Sequence, residues 1–407
     1  MKSGCLNTCS SKPDSCVNIT HCSSSRITLL YRILASLDRF YVGERQHLKS
    51  ISQKSSSKRN GNGIGYGAGP RSRAHPTSST PTKPSERDLQ LHSLFRGIAW
   101  ILSTSQNEMG LLELMRLSFL DVAIEEFLRN DSVTDLSERV ELSVAFLTCL
   151  ESIGKNPQLT KFYTQEREEI VSSDGLEAIM RGHGQKIKKQ GIPGGWENSD
   201  NAKSTPLLEL MDKLGRQAGT FCKTAGNAHG GLNPADANVI NSVSLCHSII
   251  GVRQLLHTTA LQSGTAPSIS LQIPSSDEET YLLACAQLSY DELPASTSNV
   301  FFHFTAEANS PTSVNPRRTI TLAKELSTMA TSLPAGIFIR NIANRPDCIK
   351  ALIAGPEGTP YFGGLFEFDI FATGNYPAEP PKVHFLTTAN NRVRFNPNLY
   401  AYSPTIY

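Results

Sequence analysis

The stretch of sequence that decides the fold lies near the end of this chain of 407 residues. It reads CIKALIAG over 348–355, PEGTPYFGG over 356–364 and LFEFDIFATGNYPAEPPKVHFL over 365–386. In its middle part Phe366, Phe368 and Ile370 occupy alternate positions, and Glu367 and Asp369 occupy the positions between them. Successive side chains of a strand point to opposite faces, so this period of two predicts a half-buried strand.

Two weaker alternating stretches, at 348–353 and 383–386, flank this strand. The links between them, at 355–360 and 374–381, are rich in glycine and proline, which mark turns. Alternating strands that are joined by short links pair in an antiparallel way. The sequence therefore predicts a meander.

A helix is predicted immediately before the meander, because Leu322, Leu326 and Met329 share one face at positions i, i+4 and i+7. For residues 316–407 we expect an α+β fold, in which one helix precedes a four-stranded antiparallel meander that includes the three stretches named above.

Three motifs in this region follow one another in the order and spacing of one enzyme family. The first, G-P-x-x-T-P-Y-x-x-G, is matched by Gly355, Pro356, Thr359, Pro360, Tyr361 and Gly364. The second, Y-P-x-x-P-P, is matched by Tyr376, Pro377, Pro380 and Pro381. The third is a His-Pro-Asn tripeptide, which is here Asn396, Pro397 and Asn398. On these motifs residues 317–400 resemble the core of the ubiquitin-conjugating enzymes. The variant Phe-Asn-Pro-Asn-Leu-Tyr is most similar to the giant, Bruce-like inhibitor-of-apoptosis branch of that family.

The resemblance implies protein ubiquitination, with one departure. In the family, ubiquitin is carried as a thioester on a cysteine eight residues beyond the tripeptide asparagine and is passed to substrate lysines. Counting eight residues from Asn398 gives Ile406, and residues 401–407 contain no cysteine. We therefore expect a C-terminally truncated, incomplete core that is inactive alone, and the alternative is a relative that evolved without the cysteine. The later helices of the family are also missing, so much of the apolar sheet face is expected to be exposed.

The resemblance also implies roles for named residues. Asn398 is expected to donate a hydrogen bond to the oxyanion and to orient the incoming lysine, while Pro397 restricts its loop and Asn396 replaces a mainly structural histidine. In a chain without the cysteine, a loop cap is the alternative role for Asn398, and the sequence leaves both alternatives open. Arg317, Arg318 and Lys324 match the basic face that binds the ubiquitin-activating enzyme, for which an ordinary solvated face is the alternative.

Nine cysteines are scattered through the chain, which is typical of a reduced protein. Cys5, Cys9, Cys16 and Cys22 lie near His21, but their spacings match no compact zinc pattern, so we expect free thiols and no metal. Cys348 lies within a predicted strand, where a buried thiol is inert, so no nucleophile is assigned. The family chemistry requires no cofactor.

Composition limits the surroundings in which the protein works. No run of eighteen apolar residues and no signal-peptide pattern is present, so we expect no membrane span and a cytoplasmic location, with a nuclear one as the alternative. Residues 1–87 hold 14 Lys and Arg against 4 Asp and Glu, a net charge of +10, so the remainder carries −8. This basic charge is diffuse and has no aromatic platform beside it, which disfavours nucleic acid as a partner.

Most of residues 1–87 are rich in Ser, Gly and Pro and are predicted to be disordered. Within them, residues 27–41 are expected to form a short amphipathic helix that binds a protein partner or nothing, with nucleic acid and a membrane surface as further alternatives. Residues 88–183 carry helical periodicity and are predicted to form a helical bundle or the end of a helical-repeat array. Residues 184–315 are predicted to be linkers with short helices at 206–222, 239–262 and 278–288.

Val300, Phe301, Phe302 and Phe304 form an apolar patch within these linkers, expected to pack against the conjugating core or the preceding helices. Two functions from different classes follow from the sequence. In the first, the chain is a fragment of a ubiquitin-conjugating enzyme whose partners are ubiquitin, the activating enzyme and a ubiquitin ligase. In the second, it is a non-catalytic adaptor or scaffold that binds ubiquitin-pathway partners through the meander and the helical region.

Overall fold

The computed structural model describes a defined set of residues, and every structural statement below concerns these residues. They are 22–56, 85–104, 108–129, 133–168, 170–172, 175–182, 186–187, 203–226, 237–265, 276–294, 301–310, 315, 317–389 and 392–393. The chain divides into two compact units, which are treated separately. Unit 1 comprises residues 1–124 and 148–205, and unit 2 comprises residues 125–147 and 206–407.

The helices in chain order are α1 Ser23–Ser56, α2 Glu86–Thr104, α3 Leu111–Leu117, α4 Leu120–Leu128, α5 Val133–Glu138, α6 Val140–Gly154, α7 Thr160–Thr164, α8 Leu176–Met180, α9 Leu207–Gly226, α10 Ala237–Gln262, α11 Asp277–Leu288, α12 Thr305–Ala308 and α13 Arg318–Ser332, with a 3-10 turn at Pro157–Leu159. The strands are β1 Arg167–Glu168, β2 Ile170–Ser172, β3 Lys186–Ile187, β4 Lys203–Ser204, β5 Tyr290–Leu293, β6 Ile337–Ile342, β7 Arg345–Ala354, β8 Leu365–Phe371 and β9 Lys382–Phe385.

Unit 1 is mainly helical, and α1 packs against α2 in it. Leu30, Leu34 and Leu37 of α1 are completely buried, at the i, i+4, i+7 spacing that places side chains on one helix face. Helix α1 extends well beyond the expected short helix at 27–41, so residues 23–56 are helical rather than disordered. The rest of the predicted disordered segment, 1–21 and 57–84, lies outside the described residues.

One buried carboxylate joins three parts of unit 1. The side chain of Asp38 in α1 accepts hydrogen bonds from the backbone N–H of Phe119 and from that of Leu176, each at 2.8 Å. These N–H groups lie at the starts of α4 and α8, where a helix leaves its first donors without partners. Asp38 therefore supplies the acceptors for two helix starts that are far apart in sequence.

Unit 2 contains a five-stranded sheet in the order β5-β6-β7-β8-β9. Strands β6 to β9 pair antiparallel with their neighbours, which confirms the predicted four-stranded meander. Strand β5 adds a parallel edge beside β6 and was not predicted. Its sequence, Tyr-Asp-Glu-Leu followed by Pro294, has little of the apolar alternation that identifies a strand.

Each face of the sheet is partly covered, and the apolar side chains of β8 that were expected to be exposed, Phe366, Phe368 and Ile370, are half-buried. On one face α13 contributes Leu326 to a core cluster with Ile339, Ile349 and Ala351, and Phe368 and Ile370 pack at its border, half-buried. The expectation of a half-buried strand is wrong at Asp369, because this side chain is completely buried on the opposite face. Long-range packing, described below, covers that face.

Unit 2 also contains the long helices of the predicted linker region. Helix α9 packs against both α10 and α13, so the predicted core at 316–407 shares one unit with helices from residue 206 onward. Gln217 of α9 donates a hydrogen bond to Thr331 of α13 at 2.5 Å. Helix α10 is long and apolar enough over Val239–Gln262 to cross a membrane by length and composition. Its Cys246, Ile249 and Leu256 are buried within the unit, as in the core helix of a globular layer.

Candidate functional site

The first motif forms the turn between β7 and β8, and backbone hydrogen bonds close it. Gly355 donates its N–H to the carbonyl of Gly364 at 2.9 Å, and Gly364 donates to the carbonyl of Tyr361 at 3.0 Å. The hydroxyl of Thr359 donates to the carbonyl of Pro356 at 2.6 Å. The motif residues therefore fix the geometry of the turn.

Glycine is required at residue 355 because the chain folds closely over it. A Cβ atom there would lie 1.8 Å from the carbonyl oxygen of Tyr361, which is backbone and cannot rotate away. The ring of Tyr361 packs edge-on against Phe366, with 6.0 Å between centroids. This contact joins the turn to the first residues of β8.

The second motif forms the loop between β8 and β9, and it is tied to α13. The Tyr376–Pro377 peptide bond is cis. The hydroxyl of Tyr376 donates to the carboxylate of Glu325, at 2.7 Å from Oε1 and 2.5 Å from Oε2. Burial and the neighbouring Glu325 carboxylate raise the pKa of Tyr376, so the phenol stays protonated as the donor. Pro380 and Pro381 are the last two residues before β9.

Of the three predicted basic residues of α13, Arg318 is engaged within its own unit. Its guanidinium donates to Asp347 at 2.8 Å and to the carbonyl of Ala372, and only 15% of its side chain is exposed. Arg345 donates to the same carboxylate at 3.0 Å. Burial acts to raise the pKa of Asp347, but these two guanidinium groups hold it below its usual range.

The other two basic residues have different surroundings. Arg317 is exposed just before the first turn of α13, and Lys324 is half-buried on the helix. The geometry therefore gives Arg318 a structural role in joining α13 to β7. Binding of the activating enzyme by Arg317, Arg318 and Lys324 stays a prediction.

The third motif lies outside the described residues, so the positions of Asn396, Pro397 and Asn398 are not part of the structure. The chain that leads to it is described as far as Val393. After β9, Leu386 donates its N–H to the carbonyl of Glu367 at 2.9 Å, and Val393 donates to the carbonyl of Thr388 at 3.0 Å. The chain thus turns at the outer edge of the sheet shortly before the tripeptide.

Cys348 lies in β7, as predicted, and only 3% of it is exposed. Burial, followed by the charge of Asp347, raises the pKa of its thiol to about 12. A thiol acts as a nucleophile only as the thiolate, so Cys348 is inert at neutral pH. Among the described residues no group of three or more His, Cys, Asp or Glu side chains could hold a metal ion.

Sequence reasoning missed a polar cluster on the face of the sheet opposite α13. Asp369 accepts a hydrogen bond from Lys350 at 2.6 Å, and Lys350 also donates to Glu367 at 2.8 Å. The second oxygen of Asp369 accepts from the backbone N–H of His303 at 2.6 Å. Lys350 and Asp369 are cross-strand partners, so the register of β7 against β8 could have indicated the pair once the meander was assumed.

The comparison with known families gives the class of this domain. Residues 321–406 match the family model for ubiquitin-conjugating enzyme. Together with the α13 helix, the meander and the two described motifs, this match makes the C-terminal part of the chain a ubiquitin-conjugating-type domain.

Particular relatives extend the similarity upstream of this domain. A probable ubiquitin-conjugating enzyme protein 17 from Caenorhabditis elegans is 31% identical over 293 residues, which cover 68% of this chain and 37% of the relative. The dual E2 ubiquitin-conjugating enzyme/E3 ubiquitin-protein ligase BIRC6 from Mus musculus is 28% identical over 312 residues, which cover 71% of this chain and 6% of the relative. Ubiquitin-conjugating enzyme E2 Z from Homo sapiens is 39% identical over 85 residues, which cover 21% of this chain and 24% of the relative. The chain thus spans well under half the length of each of these three relatives.

Proposed function

We propose that this chain acts in protein ubiquitination, through a ubiquitin-conjugating-type domain that belongs to the same compact unit as the helices before it. The observation that carries the proposal is the family match at 321–406, over a helix and meander whose motif residues make specific structural contacts. The similarity to the C. elegans and mouse proteins covers about 70% of the chain, so it includes helices upstream of the domain. In this proposal those helices act together with the domain.

Ubiquitin transfer makes three demands on a protein. A thiolate must accept ubiquitin, a donor must stabilise the oxyanion, and the attacking lysine must be positioned. We propose Asn398 for the donor, as the tripeptide implies. None of the nine cysteines lies eight residues beyond Asn398, where Ile406 stands, so the proposal includes no thioester on this 407-residue chain.

Binding of the ubiquitin-activating enzyme tests the proposal. The basic residues proposed for this contact are Arg317 and Lys324, since Arg318 already pairs with Asp347. We expect Arg317→Glu combined with Lys324→Glu to weaken binding about tenfold, because charge complementarity steers and stabilises such an encounter. The measurement is the dissociation constant of the full chain for the activating enzyme, by surface plasmon resonance at fixed salt.

Lys223→Glu on α9 is the matched control, because the Lys223 side chain is 66% exposed in the same unit. This control is expected to bind like the unchanged chain. The proposal fails if the unchanged chain does not bind the activating enzyme, or if both charge-reversed proteins bind equally.

A non-catalytic adaptor is the second candidate, and one observation favours it. Helix α13 is covered by α9, and Ala323 and Ser327 of α13 are buried. A helix that packs in this way presents less of its surface to an enzyme partner. Binding of free ubiquitin that is unchanged by the two charge reversals would support the adaptor.

Further features of the family remain parts of this proposal. We include among them a ubiquitin ligase as a partner, a contribution to the inhibition of apoptosis and a cytoplasmic location. The similarity to BIRC6 supports the link to apoptosis only through the Bruce-like sequence variant at Asn396, Pro397 and Asn398.

A further inference from the structure

The face of the sheet opposite α13 is covered by residues 301–310, which are called the cover segment below. Phe302 and Phe304 of this segment form a buried cluster with Cys348 of β7 and Phe371 of β8. The ring of Phe304 stacks on that of Phe371, with 6.0 Å between centroids. The cover segment therefore takes the place of solvent, or of a partner, over this apolar surface.

Polar contacts hold the cover segment at three places. Asp369 accepts from the N–H of His303, Lys382 of β9 contacts Glu307 at 2.5 Å, and Arg345 of β7 donates to the carbonyl of Ala308 at 2.8 Å. Removing one partner of a buried polar contact is strongly destabilising. The ion pair of Lys382 and Glu307 is half-exposed, so it contributes little to the stability of the closed segment.

A pair of stacked histidines lies at the centre of this attachment. The rings of His303 in the cover segment and His384 in β9 are 3.5 Å apart between centroids, with an angle of 4° between their planes. The ring of Phe304 meets both histidines edge-on, at 4.9 Å from His303 and 6.4 Å from His384. Neutral imidazoles can stack at this distance, whereas two imidazolium cations repel each other.

The charges around the pair do not offset this repulsion fully. Asp369 is the cross-strand partner of His384, but both of its oxygens already accept hydrogen bonds from Lys350 and from the His303 backbone. Lys350 and Lys382 add positive charge from β7 and β9, while Glu367 and Glu307 add negative charge and are paired with these lysines. The three carboxylates around the pair thus exceed the two lysines by one charge, which offsets one added positive charge but not two.

We propose that the cover segment is a pH-sensitive cover of this sheet face, held closed by the stacked pair of His303 and His384 and released on acidification. Burial and the neighbouring His303 ring lower the pKa of His384, while Asp369 acts in the other direction. The closed state therefore binds protons less readily than an open state with separated rings. The population of the closed state falls as the pH falls through the ordinary range of imidazole, and release exposes Cys348 and Phe371.

Amide hydrogen exchange of the full chain tests this proposal. The protection of peptides that span 301–310 is measured at about pH 7.5 and about pH 5, after correction for the intrinsic pH dependence of amide exchange. We expect protection to fall about tenfold on acidification, because the open state binds protons more readily than the closed state. In His384→Phe, which keeps an aromatic ring that cannot be protonated, protection is expected to change less than about twofold.

His303→Phe is the second variant, because His303 is exposed and its replacement does not disturb the core. It is expected to behave like His384→Phe. His247→Phe, at an exposed position of α10, is the matched control and should keep the full response of the unchanged chain. The proposal is overturned if protection of the unchanged chain does not fall on acidification, or if the fall persists in both phenylalanine variants.

Discussion

At the scale of single residues, a few side chains decide how distant segments meet. Asp38 joins two helix starts in unit 1, and Asp369 joins the cover segment to β8 in unit 2. Both carboxylates are almost completely buried, at 1% and 0% exposure. Buried carboxylates persist only where their oxygens accept hydrogen bonds, which both of them do.

Asp38 makes the stability of unit 1 depend on pH. Burial raises its pKa from 3.8 to about 6, although the two backbone hydrogen bonds act in the opposite direction. Between these pH values the folded state binds more protons than the unfolded state, so stability falls as the pH rises from about 4 to about 6. We expect the free energy of unfolding of the native chain, minus that of Asp38→Asn, to fall by up to roughly 3 kcal/mol across this range.

The measurement is unfolding in urea, monitored by the amide-exchange protection of peptides from α1. This protection reports on unit 1 separately. Asp277→Asn changes an exposed carboxylate at the start of α11 and serves as the control, with no such fall expected. The role of Asp38 would be contradicted if the difference in the free energy of unfolding between the native chain and Asp38→Asn did not change with pH, or if it rose with pH.

At the scale of elements, the ubiquitin-conjugating-type domain depends on contacts between helix α13 and the loops of the meander. The hydrogen bonds of Tyr376 to Glu325 join the loop before β9 to α13. Tyr376→Phe removes the donor and leaves a carboxylate without this partner. A hydrogen bond to a charged group contributes about 1.5–3 kcal/mol to stability. Because Tyr376 is half-exposed, we expect the free energy of unfolding of unit 2 to fall by about 1 kcal/mol.

A double-mutant cycle with Glu325→Gln separates this contact from other effects of the substitutions. Urea unfolding of the single and double variants is expected to give a coupling energy of about 0.5 kcal/mol or more between Tyr376 and Glu325. Additive effects of the two substitutions would show that the loop is held by other contacts.

Much of the domain at this scale could be predicted from the sequence because its information is local. The alternation of Phe366, Phe368 and Ile370 gave strand β8 with the bounds Leu365–Phe371, and the Gly and Pro motifs gave the turns. The packing of the apolar patch on the core is confirmed for Phe302 and Phe304. It is wrong for Phe301, which is 68% exposed, and Val300 lies outside the described residues.

The burial of Asp369 could not be predicted in this way. It depends on a hydrogen bond from the N–H of His303, which lies 66 residues earlier in the sequence. It also depends on which face of the sheet Phe302 and Phe304 cover. Periodicity assigns residues to faces but does not say what covers each face. The parallel strand β5 could not be predicted for a similar reason, because its position is fixed by pairing with β6 rather than by its own sequence.

At the scale of the whole molecule, the ubiquitin-conjugating-type domain shares unit 2 with helix α9, which packs against both α13 and α10. The proposed site residue Asn398 lies outside the described residues, so its role depends on the motif alone. The structure shows that Cys348 is buried in β7, and burial raises the pKa of its thiol to about 12. We propose that no cysteine of this chain accepts ubiquitin, because the position eight residues beyond Asn398 is Ile406.

A thioester assay of the 407-residue chain tests the central claim most directly. The chain is incubated with ubiquitin, ATP and the ubiquitin-activating enzyme, and the products are separated with and without a reducing agent. We predict no reducing-agent-sensitive ubiquitin adduct on this chain, while a ubiquitin-conjugating enzyme that has the family cysteine serves as the positive control. An adduct that disappears with reducing agent, and that is also lost in Cys348→Ser, would contradict both the inert state of Cys348 and the proposal that this chain carries no nucleophile.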